Sequence, residues 1–234
     1  MTTILVGVDP AAPAHEAIAF ARALADAEGA DLQHVSAHRG ESAAQLLHQR
    51  AEATDARLVV LGSSHTGRLG RVIPGSTGER LLHGAPCAVA VVPRGHVDRP
   101  IDHIGVAYDA SPEAEAALTH ATELARHLGA TLDLIGVANP DPYEDDDSAR
   151  TVQVRLERAL RTLPFDVDGT IVRLHGEPAD ALAIHSADLD LLVTGSRGYG
   201  PLRSVIVGAV SGRLMRTARC PVIVVPRAVA APTP

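Results

Sequence analysis

The chain has 234 residues, 46% hydrophobic and only 2% aromatic, so its core must be built from Val, Leu, Ile and Ala. That length accommodates one large or two small domains, and such a core suits buried parallel sheets covered by Ala-rich helices. The formal net charge of −7 gives no support for nucleic-acid or membrane-surface binding, and all 21 basic residues are arginine, which excludes a Walker A phosphate loop and a Schiff-base mechanism.

The N-terminus, Met1 to Asp9, lacks a charged segment and a long apolar stretch. It is expected to be a first strand, Ile4 to Asp9, and not a signal peptide. No apolar run approaches the ~18 residues a membrane span needs, and two cysteines without a CxxC pair offer no disulfide framework. A reducing, cytoplasmic setting is therefore expected. Ala14 to Glu28 is an Ala-rich helix pattern closed by Gly29. Weak strand character follows at Leu32 to His38, a helix at Glu41 to Thr54 and a strand at Leu58 to Leu61. A Gly-rich loop leads to a helix over Pro74 to His83 and a strand over Ala88 to Val92, and Pro93 to Pro100 forms a linker.

Beyond the linker the order restarts. His103 to Asp109 is a strand, and Pro112 to Leu128 is a helix with Ser111 as N-cap, Pro112 at its first position and Gly129 past its end. A strand is expected at Thr131 to Ala138, an acidic loop at Asn139 to Asp147 and an amphipathic helix at Ser148 to Leu163. Then come a strand (Thr170 to His175), a helix (Pro178 to Ala187), a strand (Leu189 to Thr194), a second Gly-rich loop, a helix (Gly208 to Ala218) and a strand (Val222 to Val225). This alternation predicts an α/β fold with parallel, doubly wound sheets.

The two halves carry one signature. Gly62-Ser-Ser-His-Thr-Gly67, Gly75-Ser76-Thr77 and Cys87 to Pro93 recur as Gly195-Ser-Arg-Gly-Tyr-Gly200, Gly208-Ala-Val-Ser211 and Cys220 to Pro226, every time 133 residues later. The chain therefore divides into units spanning residues 1–95 and 100–228. Gly40 comes 31 positions after Asp9 and Gly176 comes 67 after Asp109, so the first unit lacks about one strand-plus-helix pair. The gap is expected directly after the first strand and helix, or to include that helix. Val89 to Val92 and Val222 to Val225 are edge strands that would invite aggregation if left bare. Pairing them to each other gives a tandem with pseudo-two-fold symmetry.

Each Gly-rich loop leaves the C-terminal end of a strand, where open α/β sheets bind ligands. In the second unit, Gly195 and Gly198 let backbone approach an anion, and Gly208 opens a helix whose free N–H groups favour phosphate. Ser211 adds a hydroxyl, and five of this half's twelve arginines lie between Arg197 and Arg219. The competing account is that the glycines serve only local turns.

The segments Gly105 to Ala114, Gly176-Glu-Pro-Ala179, Gly195-Ser-Arg-Gly198 and Cys220 to Pro226 resemble the universal stress protein family, and the likeness covers nearly the whole chain as a tandem pair. The resemblance implies two Rossmann-like (adenine nucleotide alpha hydrolase-like) domains with strand order 3-2-1-4-5, paired through their last strands. It also implies that one branch binds ATP, with magnesium, through Gly-x-x-Gly, nine residues, Gly-(Ser/Thr), in proteins that act as stress-induced regulators and not as established enzymes. Carried onto this sequence, the second unit would use Asp109 near ribose and phosphates, Val137 beside adenine, and Gly195, Arg197, Gly198, Gly208, Ala209, Val210 and Ser211 around the phosphates. Ala209 departs from the family's Ser or Thr; a lost charge-assisted hydrogen bond costs roughly 1–3 kcal/mol. The first unit keeps Asp9, Gly62, Gly75, Ser76 and Thr77, but His65 replaces its second glycine and the strand facing adenine is expected to be missing.

The leading expectation is an adenine-nucleotide-binding regulator or sensor acting on a protein partner; further self-association as a homodimer is compatible with the pattern. The alternatives are a protein-interaction module that binds no nucleotide, and a slow ATPase. His34 and His38 lack metal-ligand spacing, and a solvated helix face is the simpler account of His120 and His127. The run Asp145-Asp146-Asp147 is expected to be solvated.

Overall fold

The protein is described here by a computed structural model that covers residues 2–9, 14–38, 40–63, 72, 75–82, 84–138, 147–196 and 209–226, with backbone alone at 147, 148 and 209. The first half runs β1 (Thr3–Gly7), α1 (His15–Glu28), β2 (Asp31–Val35), α2 (Ala43–Ala53), β3 (Leu58–Gly62), α3 (Ser76–Leu82) and β4 (Ala88–Val92). The second runs β5 (His103–Ala107), α4 (Pro112–Leu128), β6 (Thr131–Ala138), α5 (Asp147–Leu160), β7 (Gly169–His175), α6 (Pro178–His185), β8 (Leu191–Gly195), α7 (Ala209–Thr217) and β9 (Val222–Val225). A short 3-10 turn, Ser186–Asp188, ends α6.

The nine strands of the described residues form one sheet in the order β2-β1-β3-β4-β9-β8-β5-β6-β7. Every pairing is parallel except β4 with β9, where Val89 faces Val224, Ala90 faces Ile223 and Val91 faces Val222. The two Val-rich edges thus close on each other, and the halves meet about a pseudo-two-fold axis. Side-chain alternation sends Ile4, Val6, Ile104 and Val106 to a core covered by α1, α4 and α5. Leu5, Val59, Val89 and Leu192 face a second core covered by α2, α3, α6 and α7. Both cores are aliphatic, as the composition requires.

Local signals set the element ends. Ser111 Oγ accepts from the Ala114 amide at the start of α4, and Gly29 and Gly129 end α1 and α4 at φ 62° and 67°. Cys87 and Cys220 are free and buried, and burial pushes both thiols up to about 12.

Two expectations need correction. First, the pair absent from the first half is the counterpart of α5 and β7, one step further along than expected. Thr3 pairs with Asp31 and His103 with Thr131, the same separation of 28 residues in each half. So β2 corresponds to β6, the strand expected to be lost is present, and β2 stands at the sheet edge where β6 is covered by β7. Second, His120 does not sit on a solvated face. It is 9% exposed, and burial together with the Arg57 charge holds its pKa down at about 3. Most of the acidic loop (139–146) lies outside the described residues.

Candidate functional site

The site forms where three strands of the second half end and three helices begin. β5 runs out through Tyr108 and Asp109 into a turn that starts α4. Ala110 in that turn has φ 64°, a left-handed conformation unfavourable for a residue with a Cβ. Two contacts hold it: Asp109 Oδ1 accepts from the Ser111 amide at 3.0 Å, and Ser111 caps α4. Tyr108 is buried and its hydroxyl donates to the Glu115 carboxylate; burial and that bond push the phenol up.

β8 ends at Gly195 directly against the first turn of α4. A Cβ there would lie 2.5 Å from the Glu113 carbonyl oxygen. Gly62 occupies the matching place at the end of β3, where a Cβ would lie 2.3 Å from that of Ala14. The next amide is used identically in both halves, Ser63 donating to Val92 and Ser196 to Val225, each at 2.9 Å. The leading glycine of each signature therefore has a packing reason for being glycine.

Gly176-Glu177-Pro178 is a helix start. Gly176 has φ 119°, and Glu177 is the N-cap of α6, accepting from the Ala179 and Asp180 amides at 3.1 and 3.2 Å. Arg213 of α7 pairs with Glu177 at 3.1 Å and with Asp180 at 2.7 Å, tying the two helices together.

Between these elements lies a cavity of about 340 Å³. Ser111, Glu113 and Ala114 bring the first turn of α4 to it, Pro178 that of α6, and Val210 and Ser211 that of α7. Ile135, Val137, Val152 and Leu182 supply apolar lining, and Asp109, Arg155 and Thr194 complete its polar lining with Tyr108 alongside. The volume falls within the roughly 300–1,000 Å³ of small-molecule sites. The positive ends of the helix dipoles suit an anion, and the aliphatic lining suits a flat heterocycle.

Of the residues expected from sequence, Asp109, Val137, Gly195, Val210 and Ser211 converge on this cavity. Ala209 begins α7 beside it; Arg197, Gly198 and Gly208 lie outside the described residues. In the first half, Asp9 follows β1, Gly62 ends β3, and Gly75, Ser76 and Thr77 lie at the start of the seven-residue α3. None of them lines this cavity, and His65 is outside the described residues. Sequence reading missed Glu113, Val152, Arg155 and Thr194. The α4 residue follows from the N-cap position, whereas the α5 residues carry no signal short of knowing which helix covers β6.

The chain matches the family model for the universal stress protein family over residues 33–93 and 100–226. A universal stress protein of Mycobacterium tuberculosis is 30% identical over 234 residues, spanning 92% of this chain and 79% of that one. A second from the same organism is 34% identical, spanning 74% and 62%. Among solved structures, a putative universal stress protein from Pseudomonas aeruginosa superposes with a TM-score of 0.70 at 18% identity, covering 97% of this chain and 93% of that one. One from Archaeoglobus fulgidus gives 0.66 at 20% identity, covering 97% and 88%. These two likenesses show the fold.

Proposed function

The chain belongs to the universal stress protein family, and on that premise we propose that its second half binds an adenine nucleotide and that the protein acts as a nucleotide-dependent regulator, not an enzyme. One observation carries this reading: five residues from four separate sequence segments, Asp109, Val137, Gly195, Val210 and Ser211, line a single cavity faced by three helix N-termini. The apolar lining of Ile135, Val137 and Val152 is the place for the base. Asp109 and Ser111 stand beside the ribose, and the first turn of α7 receives the phosphates, with the glycines of the loop. Magnesium would accompany ATP, supplying countercharge in a lining that carries Asp109 and Glu113. The two units, residues 1–95 and 100–228, form the tandem in which a change at the second-half cavity reaches a protein partner. The free, buried cysteines fit a cytoplasmic setting.

Calorimetric titration with ATP, ADP and AMP, with and without magnesium, tests the reading. Val210→Asp is the informative variant. It puts a carboxylate in the cavity at the first turn of a helix, where an acid is favourable for folding. Saturable ATP binding by the wild-type protein, lost in Val210→Asp while a cooperative thermal melt shows the variant still folded, is the expected outcome.

A second reading has its own support. Gly195 is required by its contact with Glu113 whether or not a ligand is bound, and Ala209 lacks the hydroxyl of the nucleotide-binding pattern. A fold preserved as a protein-interaction module would show the same glycine. No wild-type binding at millimolar nucleotide would favour that module.

A further inference from the structure

Among the described residues α5 has no counterpart in the first half, and it contributes Val152 and Arg155 to the lining of the cavity. It reaches that position because β6 carries Gly136: a Cβ there would lie 2.5 Å from Val152 and 2.9 Å from Leu156. With that space free, α5 lies down on β6 and brings Val152 and Arg155, one turn apart, to the cavity. In the first half the position matching Gly136 is Ser36, and no helix follows β2 on that face before α2.

Arg155 is the one cation among the described residues lining the cavity, beside two carboxylates, Asp109 and Glu113. It is exposed at the mouth, and no hydrogen bond or ion pair to a described residue engages its guanidinium. It shares a face of α5 with Val152, one turn away, while Val210 and Ser211 bring α7 to the lining from a different helix. A guanidinium is planar, weakly hydrated and well suited to lie on the face of a heterocycle.

Resting on the nucleotide reading above, we propose that Arg155 closes over the base of the bound nucleotide, with Val152 beside it on the same face of α5, and that this α5 contribution confines binding to the second half. Arg155 is thereby a specificity-determining residue for the base and not a phosphate clamp. The first half, lacking a counterpart of α5 among the described residues, makes no such contribution, so each chain takes one nucleotide.

The test is titration of wild-type protein, Arg155→Ala and Arg155→Lys with adenosine, AMP, ADP and ATP. An exposed cation–π contact corresponds to an affinity loss on the order of fivefold. Arg155→Ala is expected to lose that factor equally for all four ligands, Arg155→Lys to recover only part of it, and the wild-type protein to bind one ligand per chain. A loss that grows with each added phosphate would make Arg155 a phosphate contact and overturn the inference. So would unchanged affinity in Arg155→Ala, or two ligands per wild-type chain. If the wild-type protein binds none of the four, the nucleotide reading itself fails, and this inference with it. Because Arg155 is exposed, matching thermal melts separate lost binding from lost folding.

Discussion

At the scale of single residues, the glycines of this chain are not equivalent, and their neighbours decide what each tolerates. The space beside Gly195 is filled by the backbone of Glu113, with its carbonyl carbon at 2.6 Å from a built Cβ. Backbone in the first turn of a capped helix cannot step aside. The space beside Gly105 is filled by the side-chain tips of Leu189 and Ile135, at 2.5 and 2.7 Å, which can change rotamer. Gly195→Ala is therefore expected to destabilise by about 3 kcal/mol, the upper range of overpacking, and Gly105→Ala by about 1 kcal/mol. Urea unfolding midpoints of the two variants measure the difference; equal midpoints would mean that β8 and α4 can separate freely. The same comparison shows what the sequence could and could not reveal. The repeated Gly-Ser at residues 62 and 195 was legible because it recurs at a fixed spacing. Its packing role was not, because the residue that demands it lies about 80 positions away, at Glu113.

At the scale of elements, alternating apolar runs and caps made the order of strands and helices readable, and the two Val-rich segments announced their own pairing. The missing unit was misplaced because length arithmetic says how much is absent and not which piece. β2, Asp-Leu-Gln-His-Val, is weakly apolar because it is an edge strand, so its pattern did not identify it as the partner of β1. The cap of α6 offers a quantitative check. Glu177 satisfies two amides that the helix itself leaves free, whereas its ion pair with Arg213 is half exposed. Loss of an N-cap costs about 1 kcal/mol, and exposed ion pairs contribute about 0–1 kcal/mol. Glu177→Ala should thus cost about 1 kcal/mol or more and Arg213→Ala clearly less. Denaturant midpoints in the reverse order would mean that the α6–α7 bridge, and not the cap, holds this corner.

At the scale of the whole molecule, the sheet runs through both halves, but the seam between α1 and α4 is not symmetric. Position 20 in α1 is Phe, packed edge-on to His96 with ring centroids 6.1 Å apart. Its counterpart in α4 is His120, buried with Nε2 lacking a hydrogen-bond partner among the described residues. Arg57, from the first half, reaches across the seam to Glu123 of α4 at 2.7 Å and to Glu28 of α1 at 3.6 Å. Where the first half has Arg57, the second has Asp190, which accepts from the Asp102 and His103 amides and pairs with Arg99. The two copies have become complementary halves, and the seam carries a pH dependence as a consequence. Burial first, and the Arg57 charge second, lower His120 from 6.5 to about 3 in the folded protein. Unfolding restores the ordinary value, so between these limits the unfolded chain binds a proton that the folded one refuses. Stability contributed by neutral His120 is complete above pH 6.5 and declines as the pH falls toward 3, by up to about 1.4 kcal/mol per unit. Glu28 works the opposite way, since burial raises its pKa and favours the protonated folded form at low pH. The His120 contribution must therefore be read as a difference. Urea unfolding at pH 7.5 and pH 5 should show the wild-type protein losing about 2 kcal/mol more than His120→Leu over that interval. Parallel losses in the two proteins would place His120 in contact with water and undo the account of the seam.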